Sequence, residues 1–310
     1  MTVLLLILVA ILTLTVVSGI YLFVISCVRR KEIPWLVEKE ISRTPYGKFS
    51  NHIQEANHWL SVHNAKDIWI ESHDHLRLHA LWVPAENPKG TIILVHGYRS
   101  CPLLDFGLAF DYYYHRGLNL LVPDQRSHGK SDGRFITFGV KESQDIQRWI
   151  THHNRYFGSV PIMLSGLSMG ASTVLYLANR ELPQNVKGII ADCGFTSPNA
   201  ILARVFRDVT RLPPDPSVMV AEFCARCFAN FSLWDCDTRH SLSKARLPVV
   251  MIHGKDDMFV PCVMSEQGYE ACISPKQLLL VDGADHGVSF LVEPDKYKQL
   301  VSEFLDKYIS

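Results

Sequence analysis

A serine stands between two glycines where an apolar strand pattern gives way to a helical pattern. Residues 161–164 form a short apolar run, typical of a strand covered on both faces, and residues 171–180 keep their apolar side chains on one helical face. Ser168 is therefore expected on a tight strand-to-helix turn. Gly166 and Gly170 would leave room there for a strained backbone, because neither carries a Cβ atom.

Such a turn would expose the Ser168 oxygen above the edge of a sheet, where it could act as a nucleophile. The backbone N–H of Met169, at the start of the helix, would lie beside any oxyanion that the attack forms. The alternative is a glycine-rich turn in which Ser168 only caps the helix. The pentapeptide alone leaves both interpretations open.

A base and an acid for this serine follow two other apolar runs. His286 comes after the run that ends at Val281, and Asp256 and Asp257 come after the run that ends at Ile252. A serine hydroxyl becomes a good nucleophile when a histidine takes its proton, and an acid holds that histidine in the right tautomer. The order serine, aspartate, histidine along the chain fits such an arrangement on an α/β sheet.

A second backbone donor is expected after the run TIILV, which continues into His96, Gly97 and Tyr98. Glycine would let the chain turn so that the Tyr98 N–H joins that of Met169. The two N–H groups would then form an oxyanion hole.

Six short runs rich in Val, Ile and Leu alternate with helical patterns from residue 91 onwards. They are TIILVHG, LNLLVPD, PIMLSG, KGIIADCG, LPVVMIHG and QLLLVDG. Strand and helix in alternation predict a mostly parallel central sheet with helices on both faces. A hairpin that turns at residues 72–75 is expected to open the domain. Ligands of such sheets bind beyond the carboxyl ends of the strands, where the candidate residues fall.

Residues 3–28 form an uncharged apolar run, long enough to cross a bilayer as a helix. A cleaved signal peptide would have basic residues before a shorter apolar core, whereas here Arg29, Arg30 and Lys31 come after the run. The positive-inside rule then predicts a single-pass protein whose globular part is cytoplasmic. We expect a transmembrane anchor over residues 1–31 and a juxtamembrane connector over residues 32–64. The apolar face of a helix in this connector would be Ile53, Ala56 and Leu60.

Composition excludes some classes of function. The chain of 310 residues has 31 basic and 31 acidic residues, so nothing indicates a nucleic-acid partner. The pair Cys224 and Cys227 lacks a second pair at zinc spacing, and no carboxylate cluster accompanies the three histidines at 73, 75 and 79. We expect neither a metal nor a cofactor. The sequence does not indicate the oligomeric state.

Several segments together resemble the α/β-hydrolase superfamily, within it the serine-aminopeptidase-like and bacterial membrane-anchored esterase-like branch. They are VHGYRS, VPDQRSHGKSDGRFITFGVKESQDI, SGLSMGAS, ADCGFTSP, IHGKDDMFVP and DHGVSF. The resemblance covers the chain from about residue 69 onwards and implies the α/β-hydrolase fold over residues 65–310. A helical lid is expected at about residues 195–244.

The resemblance also implies roles for single residues. Ser168 would be the nucleophile, His286 the base, and Tyr98 and Met169 the donors of the oxyanion hole. It selects Asp257 over its neighbour as the acid, because the acid of this family lies four residues after the histidine of the IHGKDD motif and just before an apolar residue and Val-Pro. The loop residues Asp124, Arg126, His128 and Gly129 would be structural.

The substrate is expected to be a small molecule with a largely apolar acyl group. Met258, Phe259 and Val288 flank the candidate residues, and four aromatic residues of the lid either line an acyl pocket or pack within helices: Phe223, Phe228, Phe231 and Trp234. We expect a serine hydrolase that cleaves carboxylic ester or thioester bonds through an acyl-enzyme intermediate. A peptidase or amidase of the serine aminopeptidase type and a membrane-tethered scaffold without turnover are the alternatives.

Overall fold

The computed structural model describes residues 2–30 and 50–309. Eight strands form one sheet in the order β1-β2-β4-β3-β5-β6-β7-β8. Strands β1, β2 and β4 pair antiparallel, and every other neighbouring pair is parallel. The strands are β1 (Lys66–Glu71), β2 (Arg77–Val83), β3 (Gly90–Val95), β4 (Leu118–Pro123), β5 (Ile162–Leu167), β6 (Val186–Asp192), β7 (Val249–Gly254) and β8 (Lys276–Val281). The mostly parallel sheet predicted from the six apolar runs is confirmed.

Helices cover both faces of this sheet. They are α1 (Thr2–Cys27), α2 (Ser50–Val62), α3 (Pro102–His115), α4 (Val140–Tyr156), α5 (Met169–Leu175), α6 (Pro198–Thr210), α7 (Asp215–Cys224), α8 (Thr238–Leu242), α9 (Val263–Ala271), α10 (Ser289–Val292) and α11 (Pro294–Tyr308). A π-helical turn, Ala225–Ala229, continues α7.

The core lies in two layers because side chains alternate between the faces of a strand. In β3, Ile93 and Val95 pack with α4 and α5 on one face, and Ile92 and Leu94 pack with α2, α3 and α11 on the other. Each strand buried in this way needs the continuous apolar run seen in the sequence.

Helices α6 to α8 leave the sheet between β6 and β7 and form a cap, here residues 193–248. A third apolar cluster joins this cap to the C-terminal part of α1, where Leu22, Phe23 and Cys27 are buried. The rest of α1, from Thr2 to Val17, extends away from the globular part with exposed apolar side chains. The whole helix is long and apolar enough to cross a membrane.

Helix α2 belongs to the globular part through the predicted apolar face. Ile53, Ala56 and Leu60 are buried, and Ala56 lies against Gly107 of α3, where a Cβ atom on the glycine would come within 2.5 Å of the Ala56 Cβ. The remainder of the predicted connector, residues 32–49, lies outside the described residues.

Candidate active site

Ser168 occupies the predicted turn between β5 and α5. Its backbone has φ 55° and ψ −115°, a conformation that L-residues rarely adopt. The turn closes this tightly because two neighbours lack side chains: a Cβ atom on Gly166 would lie 2.2 Å from the Gly170 carbonyl oxygen, and one on Gly170 would lie 1.8 Å from the Val95 carbonyl oxygen. The Ser168 oxygen is thereby directed to the carboxyl edge of the sheet.

The structure brings together Ser168, His286 and Asp257 from the ends of three different strands. The Ser168 Oγ lies 2.9 Å from His286 Nε2, and His286 Nδ1 lies 2.7 Å from Asp257 Oδ2. If Nδ1–H donates to the carboxylate, Nε2 is an acceptor for the serine proton. This arrangement can activate the serine for attack on an acyl carbon.

Asp257 is buried whereas Asp256 is exposed. Burial by itself would raise the pKa of Asp257, but hydrogen bonds with His253 and His286 hold it at about 2. The N–H groups of Phe259 and Val260 donate to its second oxygen at 2.9 and 2.7 Å. Of the two adjacent aspartates, Asp257 is therefore the one built to stay ionised beside the imidazole.

The loop after β3 lies directly against the serine, since a Cβ atom on Gly97 would be 3.3 Å from the Ser168 Cβ. Within the described residues, the N–H groups of Tyr98 and Met169 donate to no backbone acceptor. Asp105 of α3 holds the loop: it accepts from the Gly97 N–H at 2.6 Å and from the Ser100 hydroxyl at 2.5 Å. Burial raises the pKa of the Asp105 carboxyl.

Known proteins are similar to this chain in sequence and in fold. The family model of serine aminopeptidases (S33) matches residues 86–230. The uncharacterized protein YqkD of Bacillus subtilis (strain 168) is 30% identical over 229 residues, which are 72% of this chain and 73% of YqkD. This chain belongs to the α/β-hydrolase superfamily.

Solved structures agree with that assignment at the level of the fold. An esterase of Pyrococcus furiosus, Pf2001, superposes with a TM-score of 0.64 at 23% identity over 79% of this hydrolase and 92% of the esterase. Est1E of Butyrivibrio proteoclasticus, solved with ferulic acid bound, superposes with a TM-score of 0.61 at 21% identity over 78% of this hydrolase and 99% of Est1E. The α/β-hydrolase fold predicted from the sequence is confirmed.

The end of α1 is the second support of the loop after β3 in this α/β-hydrolase. The Tyr98 hydroxyl donates to the Ser26 carbonyl at 2.9 Å, and the Arg99 guanidinium donates to the carbonyls of Ile25 and Val28 at 2.7 and 3.0 Å. Arg99 also donates to the Tyr98 hydroxyl at 2.6 Å. Carbonyls at a helix C-terminus have no intrahelical partner, so a guanidinium is well suited to this position.

The loop after β4 has structural contacts, as the resemblance implied. Arg126 makes paired hydrogen bonds to Asp145 and Asp74, and Asp124 lies 2.7 Å from His79. His128 accepts from the Arg99 backbone N–H at 3.0 Å, so this loop also supports the one that carries Tyr98.

The histidines considered as metal ligands take separate acidic partners. The His79 ring lies between Asp67 and Asp124, and His75 lies 2.6 Å from Glu71. Asp74, which lies 3.9 Å from His73, accepts a hydrogen bond from the Arg126 guanidinium.

The cavity beside Ser168 opens between α2, α3 and the loop after β8 and has a volume of about 160 Å³. Its apolar lining comes from α3, the end of β5 and the loop and helix after His286: Leu104, Leu108, Leu167, Val288 and Leu291. His52 and Asp105 add polar groups.

The four aromatic residues of the cap are absent from the described lining of this cavity. Phe231 is buried in the cluster that joins the cap to α1, whereas Phe223, Phe228 and Trp234 are more than half exposed. None of the four therefore supports the acyl-pocket interpretation; Phe231, which follows the π-helical turn, packs in the interior, and the Phe228 ring contacts that of Phe23. Phe259 does lie at the site, with its ring 5.1 Å from that of His286.

Sequence reasoning missed Asp105 and Arg99, which hold the loop after β3 from outside the sheet, and His52, which lines the cavity. Asp105 looks like an ordinary polar position in the amphipathic helix α3, and the partners of Arg99 lie more than 70 residues earlier in the chain. The left-handed backbone of Arg99, with φ 52°, also has no signal in the sequence.

Proposed function

We propose that this α/β-hydrolase is a serine hydrolase that cleaves carboxylic ester or thioester bonds through an acyl-enzyme intermediate. The hydrogen-bonded series Ser168, His286, Asp257 carries the proposal, with 2.9 and 2.7 Å between its members. A serine on a strained turn, a histidine whose Nε2 can accept the serine proton and a buried carboxylate together form a proton-transfer system.

In the acylation step, His286 Nε2 takes the hydroxyl proton while Ser168 Oγ attacks the acyl carbon. The oxyanion accepts hydrogen bonds from the N–H groups of Tyr98 and Met169, and Asp257 stabilises the imidazolium. The tetrahedral intermediate then collapses: the bond to the alcohol or thiol breaks, and His286 returns the proton to this leaving group. In deacylation, His286 takes a proton from water as its oxygen attacks the acyl carbon; the bond between the acyl carbon and Ser168 Oγ then breaks, His286 returns the proton to Ser168 Oγ, and the acid leaves.

The cavity favours a compact apolar acyl group. Its volume of about 160 Å³ is close to that of an engineered protein cavity, about 150 Å³, that binds benzene. Leucine side chains supply most of its apolar wall. An acyl chain of about six carbons would fill it, and longer chains would have to extend beyond its opening. The names of two structural neighbours, an esterase and a protein solved with ferulic acid, agree with ester substrates.

The alternative of an aminopeptidase rests on one observation, the position of Asp105. Such an enzyme needs an anion near the substrate amine, and Asp105 carries the carboxyl group among the described residues that line the cavity. Both of its oxygens already accept hydrogen bonds, and burial disfavours its ionised form, so it is a poor partner for an ammonium group. Ester and amide substrates with the same acyl group test this alternative, and faster amide turnover would favour it.

We also propose that α1 anchors the protein in a membrane, with the hydrolase domain in the cytoplasm. A cleaved signal peptide would take Leu22, Phe23 and Cys27 out of the apolar cluster that they share with the cap. All eight cysteines lie in the described part of the chain and are free thiols, which fits a reducing compartment. The basic residues after α1 support this orientation.

Labelling with a fluorescent fluorophosphonate tests the catalytic proposal. The full-length protein in detergent should be labelled, and Ser168→Ala and His286→Ala should abolish labelling without changing the circular dichroism spectrum. Unlabelled but folded wild-type protein would instead favour a scaffold without turnover. A series of ester and thioester substrates of increasing acyl length, measured next, should show the highest kcat/KM at about six carbons.

A further inference from the structure

The cap exposes apolar side chains beside α1. Five of them, on α6, the α6–α7 turn, α7 and the π-helical turn, are between 52 and 78% exposed, and we call them the outer cap face: Val209, Leu212, Met219, Phe223 and Phe228. Large side chains of this kind cost free energy when they face water, and clusters of them mark interaction sites.

Helix α1 and the cap helix α7 lie side by side in the same direction. The Ser18 and Ser217 hydroxyls are 2.7 Å apart, and the rings of Phe23 and Phe228 are 6.2 Å apart. Gly19 permits a close approach, since a Cβ atom there would lie 2.4 Å from the Val220 Cβ. The start of α7, with the α6–α7 turn, is therefore level with Ser18, and the outer cap face lies along the same stretch of α1.

The free part of α1 is too short to cross a bilayer by itself. Residues Thr2 to Val17 extend beyond the globular part, and 16 helical residues span about 24 Å. The hydrocarbon core of a bilayer is about 30 Å thick. The missing length, about 6 Å, falls on the turn of α1 that begins at Ser18 and already contacts α7.

Other side chains at this level fit a membrane boundary. Tyr21 and Val24 of α1 are exposed on the side away from α7, and tyrosine is enriched where hydrocarbon meets headgroups. Arg207 and Arg211 are exposed at the end of α6, where long basic side chains can reach lipid phosphates. Two acidic residues also lie here: Asp208 pairs with Arg204, and Asp215 lies at the N-terminus of α7, where the helix dipole stabilises it.

We propose that the outer cap face lies in the boundary between hydrocarbon and headgroups of the bilayer that α1 spans. The protein then contacts its membrane through α1 and the cap together. This inference rests on the proposed anchoring by α1, because the length of α1 in the bilayer determines where the boundary lies. The continuity of the exposed apolar surface from α1 to the cap favours lipid over a protein partner.

Depth-dependent fluorescence quenching tests the proposal in the full-length protein, reconstituted in nanodiscs of phosphatidylcholine and phosphatidylglycerol. A bimane label is attached at Met219→Cys, in a background where the three cysteines that are not buried, Cys227, Cys236 and Cys262, are replaced by serine. Ile273→Cys is the matched control: it is 71% exposed and precedes β8, at the opposite edge of the sheet from the site. Leu8→Cys reports on the anchor. Each variant must retain fluorophosphonate labelling.

We expect nitroxide lipids to quench the label at 219 at least threefold more than the label at 273, and aqueous iodide to show the reverse order. Quenching of the label at 8 by lipid, with the label at 219 as open to iodide as that at 273, would overturn the proposal and leave the anchor intact. A label at 8 that is open to iodide would overturn the anchoring, and this inference with it. A label at 219 that neither quencher reaches would mean that a protein surface covers the cap.

Discussion

The two halves of the active site are held by different parts of the molecule. Ser168, Asp257 and His286 stand on turns that follow β5, β7 and β8, and their hydrogen bonds are made among residues of the sheet's carboxyl edge. The loop that carries Tyr98 is held instead by α3, through Asp105, and by the end of α1, through Arg99. In the proposed mechanism, proton transfer would therefore depend on the domain itself, whereas oxyanion stabilisation would depend on the N-terminal helix as well.

The largest loss should come from breaking the proton-transfer half. Asp257→Asn should lower kcat by about 10⁴-fold, because the amide can hold His286 in the wrong tautomer. Asp256→Asn is the matched control, since this neighbouring carboxylate is exposed, and its kcat should stay within about twofold of wild type. Steady-state hydrolysis of a nitrophenyl ester measures both. Equal losses in the two variants would contradict the assignment of Asp257.

The second prediction tests whether α1 takes part in the other half. Arg99→Ala should lower kcat by about 10²-fold with little change in KM, because the Tyr98 N–H would lose its fixed position while substrate binding persists. Arg99→Lys should restore part of the activity, since one ammonium group can reach one of the two carbonyls.

Arg30→Ala is the control for this prediction. The Arg30 guanidinium also donates to the Ile25 carbonyl, at 3.3 Å. Arg30, however, directly follows α1 in the chain and is not part of the loop after β3. Its replacement should leave kcat unchanged. A chain that starts at residue 50 should resemble Arg99→Ala in kcat if it folds. Full activity in Arg99→Ala would mean that the contacts of Arg99 with α1 are not needed to position the Tyr98 N–H.

The third prediction concerns the support from α3. Asp105→Asn keeps one acceptor oxygen, so only one of the two present hydrogen bonds to the carboxyl group can persist; if it is the bond from the Gly97 N–H, the Ser100 hydroxyl must accept from the amide instead of donating. We expect kcat for esters to fall by about tenfold, less than for Arg99→Ala, since one hydrogen bond remains. A matched amide substrate provides the control. If Asp105 bound a substrate amine, its replacement would raise KM for aminoacyl amides and leave ester hydrolysis unchanged.

The sequence predicts the residues that stand at the ends of the strands better than the contacts that hold the loop with Tyr98. Ser168 and His286 follow from local motifs on apolar strands, because the sheet itself brings the ends of parallel strands to one edge. Asp257 required the resemblance, since two adjacent aspartates look alike until burial distinguishes them. The contacts of Arg99 with α1 join segments far apart in sequence through a backbone conformation that no residue type specifies.

The cavity beside Ser168 could not be predicted from the sequence for a related reason. The size of the four aromatic residues of the cap suggested that they line an acyl pocket, but three of them are more than half exposed. Part of the apolar wall of the cavity comes from Leu104 and Leu108 of α3, which in the sequence are ordinary members of an apolar helical face. Which side of a helix faces a cavity and which faces the core depends on how neighbouring helices, here α2, pack against it.

The smallest expected effect on activity is at Asp192, a buried carboxyl at the end of β6, where the Ser168 N–H donates to its backbone carbonyl at 2.8 Å. Burial raises the pKa of its side chain to about 6, against about 3.9 in an unfolded chain. Between these pH values the folded state binds more protons than the unfolded state, so stability falls as pH rises from about 4 to about 6.

Replacement by asparagine removes this titration. Asp192→Asn should keep kcat within a few-fold of wild type, because the backbone contact to Ser168 does not depend on the side chain. The free energy of unfolding of wild type relative to the variant should decrease by about 2 kcal/mol between pH 4 and pH 7, because the pKa of the carboxyl is about 6 in the folded chain and about 3.9 in the unfolded chain. Urea denaturation in detergent at both pH values measures it. If the stability of wild type relative to the variant instead increased with pH, the folded protein would stabilise the ionised form of the Asp192 side chain. Asp192 would then carry a negative charge near the end of β6 throughout this pH range.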